Sequence, residues 1–226
     1  MSKQAIVLKN ITKTYKLGRE KIIALNDVSV VINAGELIAI VGPSGAGKTT
    51  FAHVLGGLIK PDSGDIEIDG ERMNAKNDRK MSAYRNQKIG FVFQNYSLLP
   101  HYTALENVSV PLMVAGMKPS ERRKKAIHYL QAVGLGGQVK QRAGQLSGGQ
   151  RQRVSIARAL VTDPEIIIAD EPTGNLDSKR GAEIMAMLEF LSKKQGITVV
   201  MVTHDDKLAK RADRRLHITD GKVREA

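Results

Sequence analysis

The sequence has no cysteine and no tryptophan, and aromatic residues form only 4% of its 226 positions. The absence of cysteine excludes disulfide bonds, thiolate catalysis and cysteine-ligated zinc, and it is compatible with a reducing cytosol. Apolar runs stay well short of the roughly 18 residues that a membrane-spanning helix needs, and we expect no secretory signal at Met1–Gln4. The length permits one large domain, or a domain with a subdomain, around a sizeable core.

Acidic residues are also few relative to basic ones, since 23 against 35 give a net charge of +12. Such a surface favours anionic partners, which include nucleic acid, lipid headgroups and acidic proteins. A solvated basic surface without a special partner explains the same composition. The charge alone therefore leaves the partner open.

The stretch Gly42–Thr50 has the pattern of a phosphate-binding loop. It follows the apolar run Leu37–Val41 and precedes a helix-like run over residues 49–58, which gives the order strand, glycine loop, helix. The glycines let successive backbone N–H groups point at one anion, and the helix adds the positive end of its dipole. Lys48 can reach the β- and γ-phosphates, and Thr49 can offer its hydroxyl to Mg²⁺. The predicted loop residues are Gly42, Pro43, Ser44, Gly45, Ala46, Gly47, Lys48, Thr49 and Thr50.

A second pattern is the apolar run Ile166–Ala169, which is followed directly by Asp170 and Glu171. Four consecutive apolar residues predict a strand buried on both faces of a parallel sheet, and ligands bind at the carboxyl ends of such strands. Asp170 can hold Mg²⁺ there through a water, and Glu171 can polarise a water for in-line attack on a γ-phosphate. Asp-Glu pairs are also common in solvated loops, but the apolar strand and the glycine loop favour the catalytic interpretation.

A third pattern, Leu146–Gln150, places a serine and two glycines ahead of a predicted helix that runs to Val161. This arrangement predicts a second anion-binding cradle, with a plain helix N-cap as the alternative. One nucleotide does not need two such cradles from the same chain. The second cradle therefore indicates a role toward a different copy of the protein.

The remaining pattern is that of an α/β chain with a helical insertion. Residues 5–13 and 22–32 alternate like strands, with a polar turn predicted over Tyr15–Glu20 between them. The pattern from Leu105 to about Gly149 is helical, which predicts an inserted helical subdomain. Leu216–Thr219 is predicted as the last strand.

Together these motifs closely resemble those of the ATP-binding-cassette (ABC) ATPases, the nucleotide-hydrolysing subunits of transporters. The resemblance covers roughly residues 4–225, and the motifs stand in the family's order without a departure. Gly42–Thr50 matches the Walker A loop, Asp170 the Walker B aspartate and Glu171 the catalytic glutamate. The other matches are Tyr15 (A-loop aromatic), Gln94 (Q-loop), Leu146–Gln150 (signature), Asn175–Asp177 (D-loop) and His204 (switch histidine).

The resemblance implies one ATPase domain over residues 1–226, with an α/β P-loop NTPase (RecA-like) core. An N-terminal antiparallel β subdomain and an inserted α-helical subdomain at approximately residues 95–150 belong to this fold. Lys48 would neutralise charge on the γ-phosphate, Glu171 would act as base, and His204 would contact the γ-phosphate and orient the water. The implied ligands are ATP and Mg²⁺, the latter held by Thr49, Gln94 and Asp170.

The resemblance also implies a homodimer in which two copies pair head to tail with two ATPs between them. Each site would combine the Walker residues of one chain with the signature of the other. Because Glu171 is present, the chain is expected to hydrolyse ATP. The nucleotide contacts outside the Walker A loop would come from Tyr15, Gln94, Ser147, Gly148, Gly149, Gln150 and Asp177.

The run Thr173–Asp177 resembles the branch that includes lipoprotein-releasing, macrolide- or peptide-exporting and cell-division ATPases. In that branch the ATPase drives a separate integral membrane permease subunit, often by mechanotransmission, from the cytoplasmic face of the cell membrane. Residues 98–108 lie where the family docks the membrane subunit's cytoplasmic helix. The apolar side chains there are interpreted either as buried subdomain core or as part of that groove; they are Leu98, Leu99, Tyr102 and Leu105. The substrate is not indicated, because in these systems the membrane subunit selects it.

Two other functional classes are alternatives to a transporter ATPase. An ABC protein that acts on nucleic acid or the ribosome fits the basic charge. However, about 95 residues separate the Walker A loop from the signature, which leaves no room for a repair-type coiled coil, and translation factors carry two cassettes. A small-molecule kinase would share only the glycine loop. We therefore expect no nucleic-acid partner and assign much of the charge to anionic headgroups and ATP, through Arg122–Lys125 and through Lys207, Lys210, Arg211, Arg214 and Arg215.

Overall fold

The computed structural model describes residues 4–18, 20–74 and 77–225. It divides the chain into two compact units, Met1–Met81 with Met187–Ala226, and Ser82–Ala186. In chain order the strands and helices are β1 (Gln4–Leu17), β2 (Glu20–Asn33), β3 (Leu37–Val41), α1 (Lys48–Leu55), β4 (Ser63–Ile68), β5 (Glu71–Arg72), α2 (Asp78–Lys88), β6 (Ile89–Val92), α3 (Ala104–Val114), α4 (Pro119–Ala132), α5 (Gly148–Leu160), β7 (Ile166–Asp170), α6 (Ser178–Gln195), β8 (Thr198–Val202), α7 (Asp206–Ala209), β9 (Arg214–Thr219) and β10 (Lys222–Glu225).

The first unit contains two arrays of strands. One is antiparallel, in the order β2-β1-β4-β5, and confirms the expected N-terminal β subdomain. In the other, the order is β10-β9-β3-β8, and β3 pairs in parallel with both β8 and β9. Every residue of β3 and β8 is buried, as expected for parallel strands that are covered on both faces.

The β1–β2 hairpin corrects the turn predicted over Tyr15–Glu20. Strand β1 continues through Tyr15 to Leu17, because Tyr15 pairs with Ile22 and Leu17 pairs with Glu20. The reversal begins at Gly18, whose φ of 61° suits a residue without a side chain. Polar residues thus extend the strand, since backbone pairing to the partner strand outweighs their weak preference for turns.

The second unit combines the parallel strand pair β6–β7 with helices α3, α4 and α5. A capping box starts α3, in which the Thr103 hydroxyl accepts from the Glu106 N–H and the Glu106 carboxylate accepts from the Thr103 N–H. Helices α3 and α4 lie within the helical insertion predicted at approximately residues 95–150, whereas α5 begins near its end and continues to Leu160; the limits of the insertion remain a prediction. Among the described residues, no helix is both long and apolar enough to span a bilayer.

Three further element predictions differ from the structure. Helix α1 ends at Leu55 instead of residue 58, because Gly56 forms its C-cap and Gly57 takes a φ of 66°. A strand, β10, follows the supposed last strand, since the Asp220–Gly221 turn returns the chain to pair with β9. Helix α2 was not predicted at all, because its polar sequence has a weak apolar stripe.

Gly90 in β6 provides a test of the packing in the second unit. A Cβ there would lie 2.4 Å from the Ala159 carbonyl oxygen and 2.6 Å from Ile167 Cδ1. Since backbone and buried side chain would both have to move, Gly90→Ala should lower the free energy of unfolding by about 1–3 kcal/mol. Urea denaturation measures the change. Gly137→Ala is the control, because nothing lies within 4 Å of its Cβ position, and an equal loss in both variants would contradict the packing argument.

Candidate functional site

The predicted phosphate loop of the first unit curls around the Lys48 side chain. Lys48 Nζ donates to the carbonyl oxygens of Gly42 and Pro43, each at 2.8 Å. Gly47 is the N-cap of α1 and has a φ of 103°, so no N-cap side chain covers the first-turn N–H groups of the helix. The loop therefore presents an ammonium group and the positive end of a helix at the same place.

Two glycines of this loop are required by close backbone approaches. A Cβ on Gly42 would lie 2.1 Å from the Ile218 carbonyl oxygen, and one on Gly47 would lie 2.2 Å from the Ala24 carbonyl oxygen. Both glycines also have positive φ angles. The glycine pattern thus follows from the neighbouring strands as well as from the ligand.

Tyr15 and His204 lie in the same unit as the phosphate loop. Tyr15 is 37% exposed, and Lys13 Nζ lies 5.8 Å from the centroid of its ring. His204 is exposed and follows β8, whose Val202 pairs with Ile40 of β3. Since the phosphate loop leaves β3 in the same direction, the loop and His204 start from the same edge of the parallel strands.

Asp62 holds the strand segment next to Tyr15. Its carboxylate accepts from Lys13 Nζ at 2.8 Å and from the Thr14 N–H at 2.7 Å. The hydrogen bond from Lys13 holds the pKa of Asp62 below its ordinary value. Asp62 therefore stays ionised and fixes the backbone that carries Tyr15.

In the second unit, Asp170 is the last residue of β7, and Glu171 follows with a φ of 48°. A left-handed conformation is unusual for a glutamate and ends the strand directly after Asp170. The Glu171 carbonyl oxygen accepts from the Gly174 N–H at 3.1 Å, which closes the turn. The two predicted carboxylates thus lie at a strand end, as the apolar run indicated.

Gln94 contacts the D-loop, whose predicted residue is Asp177. Asn175 Nδ2 donates to the Gln94 carbonyl oxygen at 2.8 Å. A Cβ on Gly174 would lie only 3.2 Å from Gln94 Nε2, so the glycine leaves room for the glutamine side chain. The structure therefore brings the Q-loop and D-loop matches together within one unit.

The signature forms the N-terminus of α5. Ser147 is the N-cap; its Oγ accepts from the Gln150 N–H at 3.3 Å, and Gln150 Oε1 accepts from the Ser147 N–H at 2.9 Å. This capping box confirms Ser147 as the N-cap of α5. Because the first N–H groups of a helix have no acceptor within it, the geometry still permits an anion cradle at Gly148 and Gly149, which stays a prediction. A cavity of about 230 Å³ adjoins the signature, and its lining residues include Ser147, Gly149, Gln150, Arg153 and Arg180.

Asp177 directly precedes α6 and caps its first turn. Its Oδ1 accepts from the Arg180 N–H at 2.9 Å, and that bond holds the pKa of Asp177 below its ordinary value. A Cβ on Gly149 would lie 3.0 Å from Arg180 Cδ. The signature glycine thus lies against the Arg180 side chain at the start of α6.

Sequence reasoning missed three residues that surround the Q-loop, namely Tyr96, Arg151 and Arg158. The Arg151 guanidinium lies 5.3 Å from the centroid of the Tyr96 ring, and Arg158 donates to the carbonyl oxygens of Tyr96 and Ser97. Burial lowers the pKa of Arg158 to about 10, so the guanidinium is still charged at neutral pH. No sequence signal marked them, because arginines on a helix of a basic protein usually face solvent.

The residues proposed for Mg²⁺ offer oxygen donors throughout: a hydroxyl from Thr49, an amide oxygen from Gln94 and a carboxylate from Asp170. Mg²⁺ binds such hard ligands and usually keeps several waters. Within residues 4–18, 20–74 and 77–225, no group of three or more His, Cys, Asp and Glu residues forms a metal site by itself. The oxygen donors of Thr49, Gln94 and Asp170 match the ligand chemistry of Mg²⁺.

Comparison with known proteins decides the family. Residues 25–174 match the family model described as ABC transporter. The chain belongs to the ABC transporter family. It is the ATP-binding subunit of such a transporter, and it is an ATPase.

Relatives of this ABC subunit cover nearly its whole length. An uncharacterised ABC transporter ATP-binding protein of Thermotoga maritima is 47% identical over 98% of the chain and 94% of the relative. MJ0796 of Methanocaldococcus jannaschii, which is also described as an uncharacterised ABC transporter ATP-binding protein, is 48% identical over 96% of the chain and 94% of its own length. These names favour transport over the nucleic-acid alternative.

Solved structures confirm the cassette fold. The chain aligns with MJ0796 at a TM-score of 0.91 and 46% identity, over 98% of the chain and 97% of MJ0796. That structure is a dimer in a post-hydrolysis state with bound ADP and Pi. CbiO1 of Clostridium perfringens, part of the transporter complex cbiONQ, aligns at a TM-score of 0.84 and 30% identity, over 98% of the chain and 87% of cbiO1.

Lys48→Ala should weaken ATP binding, because it removes the charged donor inside the phosphate loop. Loss of one hydrogen bond from a charged group is worth about 1.5–3 kcal/mol, or roughly 10- to 150-fold in affinity. Isothermal titration calorimetry with ATP measures the change. Lys124→Ala, at an exposed position of α4, is the matched loss of charge, and equal affinities in the two variants would contradict the assignment.

Proposed function

We propose that two copies of this ABC subunit close around two ATP molecules, and that each site takes its signature from the opposite copy. The observation that carries the proposal is that one chain has two helix N-termini with glycines in the predicted phosphate-binding positions, those of α1 and α5. The dimeric ADP- and Pi-bound state of MJ0796 supports it, since that protein aligns with nearly the whole chain. The signature residues that would face the partner's nucleotide are Ser147, Gly148, Gly149 and Gln150.

In the proposed site, the loop amides and Lys48 bind the phosphates and neutralise the charge that develops on the γ-phosphate. The Tyr15 ring stacks on adenine, and His204 contacts the γ-phosphate and orients the attacking water. Glu171 accepts a proton from that water. When bound, Mg²⁺ would screen the phosphate charge, and the residues that would hold it are Thr49, Gln94 and Asp170.

We further propose that the ATPase drives an integral membrane permease of the lipoprotein-release, macrolide- or peptide-export and cell-division branch. Thr173–Asp177 carries this resemblance. A cavity of about 320 Å³ in the second unit offers a docking groove for the permease, and its lining includes Tyr102, Leu105, Val110 and Met113. Tyr102 is 45% exposed, which favours the groove interpretation over buried core at this position of residues 98–108. Met113, which lines the same cavity farther along α3, is 54% exposed.

This proposal places the subunit on the cytoplasmic face of the membrane, as a peripheral component. The two clusters of basic residues that the sequence assigned to anionic headgroups offer less positive charge than their composition indicates, because some of their members form ion pairs with carboxylates. Lys125 pairs with Asp163, Arg211 pairs with Glu189 through two hydrogen bonds, and Arg214 pairs with Glu36 and Glu225. Contact with anionic headgroups therefore falls to the other basic residues of those clusters, among them Arg122, Arg123, Lys124, Lys207, Lys210 and Arg215.

Glu171→Gln should keep ATP binding and lose roughly 10²-fold or more of ATP hydrolysis, because the amide cannot accept the proton from water. An ATP-bound dimer should then accumulate, which size-exclusion chromatography with ATP measures. Glu165→Gln is the control, because it also replaces one carboxylate by an amide but at a surface position outside the proposed site. Unchanged turnover in Glu171→Gln would remove Glu171 from the role of base.

Met113→Glu should uncouple the subunit from its permease, because it places a charge in the apolar groove. In proteoliposomes with the natural membrane partner, we expect the permease-dependent part of the ATPase rate to fall by roughly tenfold, as for loss of an interface anchor. The basal rate without permease should not change. Phe190→Glu is the matched control, since Phe190 on α6 is 52% exposed, and an equal loss in both variants would argue against this groove.

A further inference from the structure

The turn after Gln94 is held in an unfavourable conformation. Tyr96 and Ser97 have φ angles of 60° and 47°, so two successive residues with side chains occupy the left-handed region. Neither residue is a type that enters this region easily, unlike glycine or asparagine. Such a turn persists only where surrounding groups fix it.

The groups that fix the turn come from helix α5. Arg158 donates to the Tyr96 carbonyl oxygen at 2.9 Å and also to the Ser97 carbonyl oxygen. Arg151 covers the face of the Tyr96 ring at 5.3 Å from the centroid. One guanidinium thus fixes the backbone of the turn, and the other fixes its aromatic side chain.

The same turn contacts the signature and the D-loop. A Cβ on Gly148 would lie 3.1 Å from the Tyr96 hydroxyl, so the ring reaches the start of α5. Asn175 Nδ2 donates to the Gln94 carbonyl oxygen at 2.8 Å on the other side. Gly148, Arg151 and Arg158 fall on one face of α5 at helical spacing. That face therefore touches the Q-loop turn along most of the helix.

We propose that Arg158 and Arg151 are positioning residues that clamp the Q-loop turn onto the signature helix, so that Gln94 and Ser147–Gln150 keep a fixed relation. Neither arginine reaches the nucleotide in this account. Arg158 acts through the backbone of Tyr96 and Ser97, and Arg151 acts through the Tyr96 ring. The inference rests on the proposed function insofar as Gln94 and the signature serve ATP hydrolysis.

The first test is Arg158→Met, which keeps the length of the side chain and removes its donors. Without them the strained turn should relax, and the amides of Tyr96 and Ser97 should exchange with deuterium roughly tenfold faster or more. Arg153→Met is the matched control on the same helix, because Arg153 bonds to Val133 and Glu183 and not to the turn. Equal exchange at Tyr96 and Ser97 in the two variants would overturn the clamp.

The second measurement is the ATPase rate of Arg158→Met. Since the clamp positions catalytic groups without binding ATP, kcat should fall about tenfold, the low end of the loss for a bond to a charged group, with KM for ATP within about twofold. A rise in KM with kcat retained would overturn the positioning role. Circular dichroism and thermal unfolding confirm that each variant is folded.

A rescue variant separates strain from general damage. Ser97→Gly removes the cost of the left-handed φ, so the turn should persist without the arginine. The double variant Arg158→Met with Ser97→Gly should recover much of the slow exchange and of kcat, and no recovery would contradict the clamp.

Gln94→Ala tests the proposed function separately. An unchanged kcat there would remove Gln94 from catalysis, while the exchange data would still decide whether the clamp exists.

Discussion

Everything in this cassette depends on the attraction between a polyanionic phosphate chain and backbone N–H groups at the start of a helix. The first unit provides one such helix start at Gly47, and the second provides another at Ser147. The two differ in construction, since one has a glycine N-cap with a lysine folded into the loop, and the other has a complete capping box. The chain has one Walker A loop but two predicted cradles, and one nucleotide requires only one of them from the same chain. The cradle at Ser147 is therefore surplus to the nucleotide bound by that chain. In the proposed dimer that surplus has a role, because the signature of each copy would bind the nucleotide of the other.

Three of the four non-glycine residues with left-handed φ that the structure describes in the second unit lie in loops that carry the proposed chemistry, and the fourth is Asp163. Glu171, Tyr96 and Ser97 all have left-handed φ angles, although none is a glycine. In the phosphate loop of the first unit, positive φ angles occur at glycines, namely Gly42 and Gly47. Glycine leaves a loop free to close on a ligand, whereas a strained residue with side-chain clamps holds a loop in place. The phosphate loop thus adopts positive φ angles through glycine, whereas the Q-loop adopts them at residues that other side chains hold in place.

The sequence was sufficient for the buried strands, because β3, β7 and β8 are apolar runs bounded by glycine or carboxylate signals. It was also sufficient for the N-cap at Ser147, which precedes a predicted helix, whereas the cap at Thr103 was not predicted. Tyr15 was misplaced in a turn, since its strand conformation comes from pairing with Ile22 across the hairpin. The clamp at Tyr96 could not be predicted for two reasons. Its two arginines lie 55 or more positions later in the chain, and a tyrosine in the sequence gives no sign that its φ angle will be positive.

The shared-site account is tested most directly by the ATPase rate per chain as protein concentration is varied. The range should include the transition from monomer to dimer with ATP, followed by light scattering in the same samples. If each site requires the signature of a second copy, the rate per chain should be low for the monomer and rise with the dimer fraction to a plateau. A rate per chain that stays constant while the scattering shows monomers would contradict the account, because a single copy would then complete the site alone.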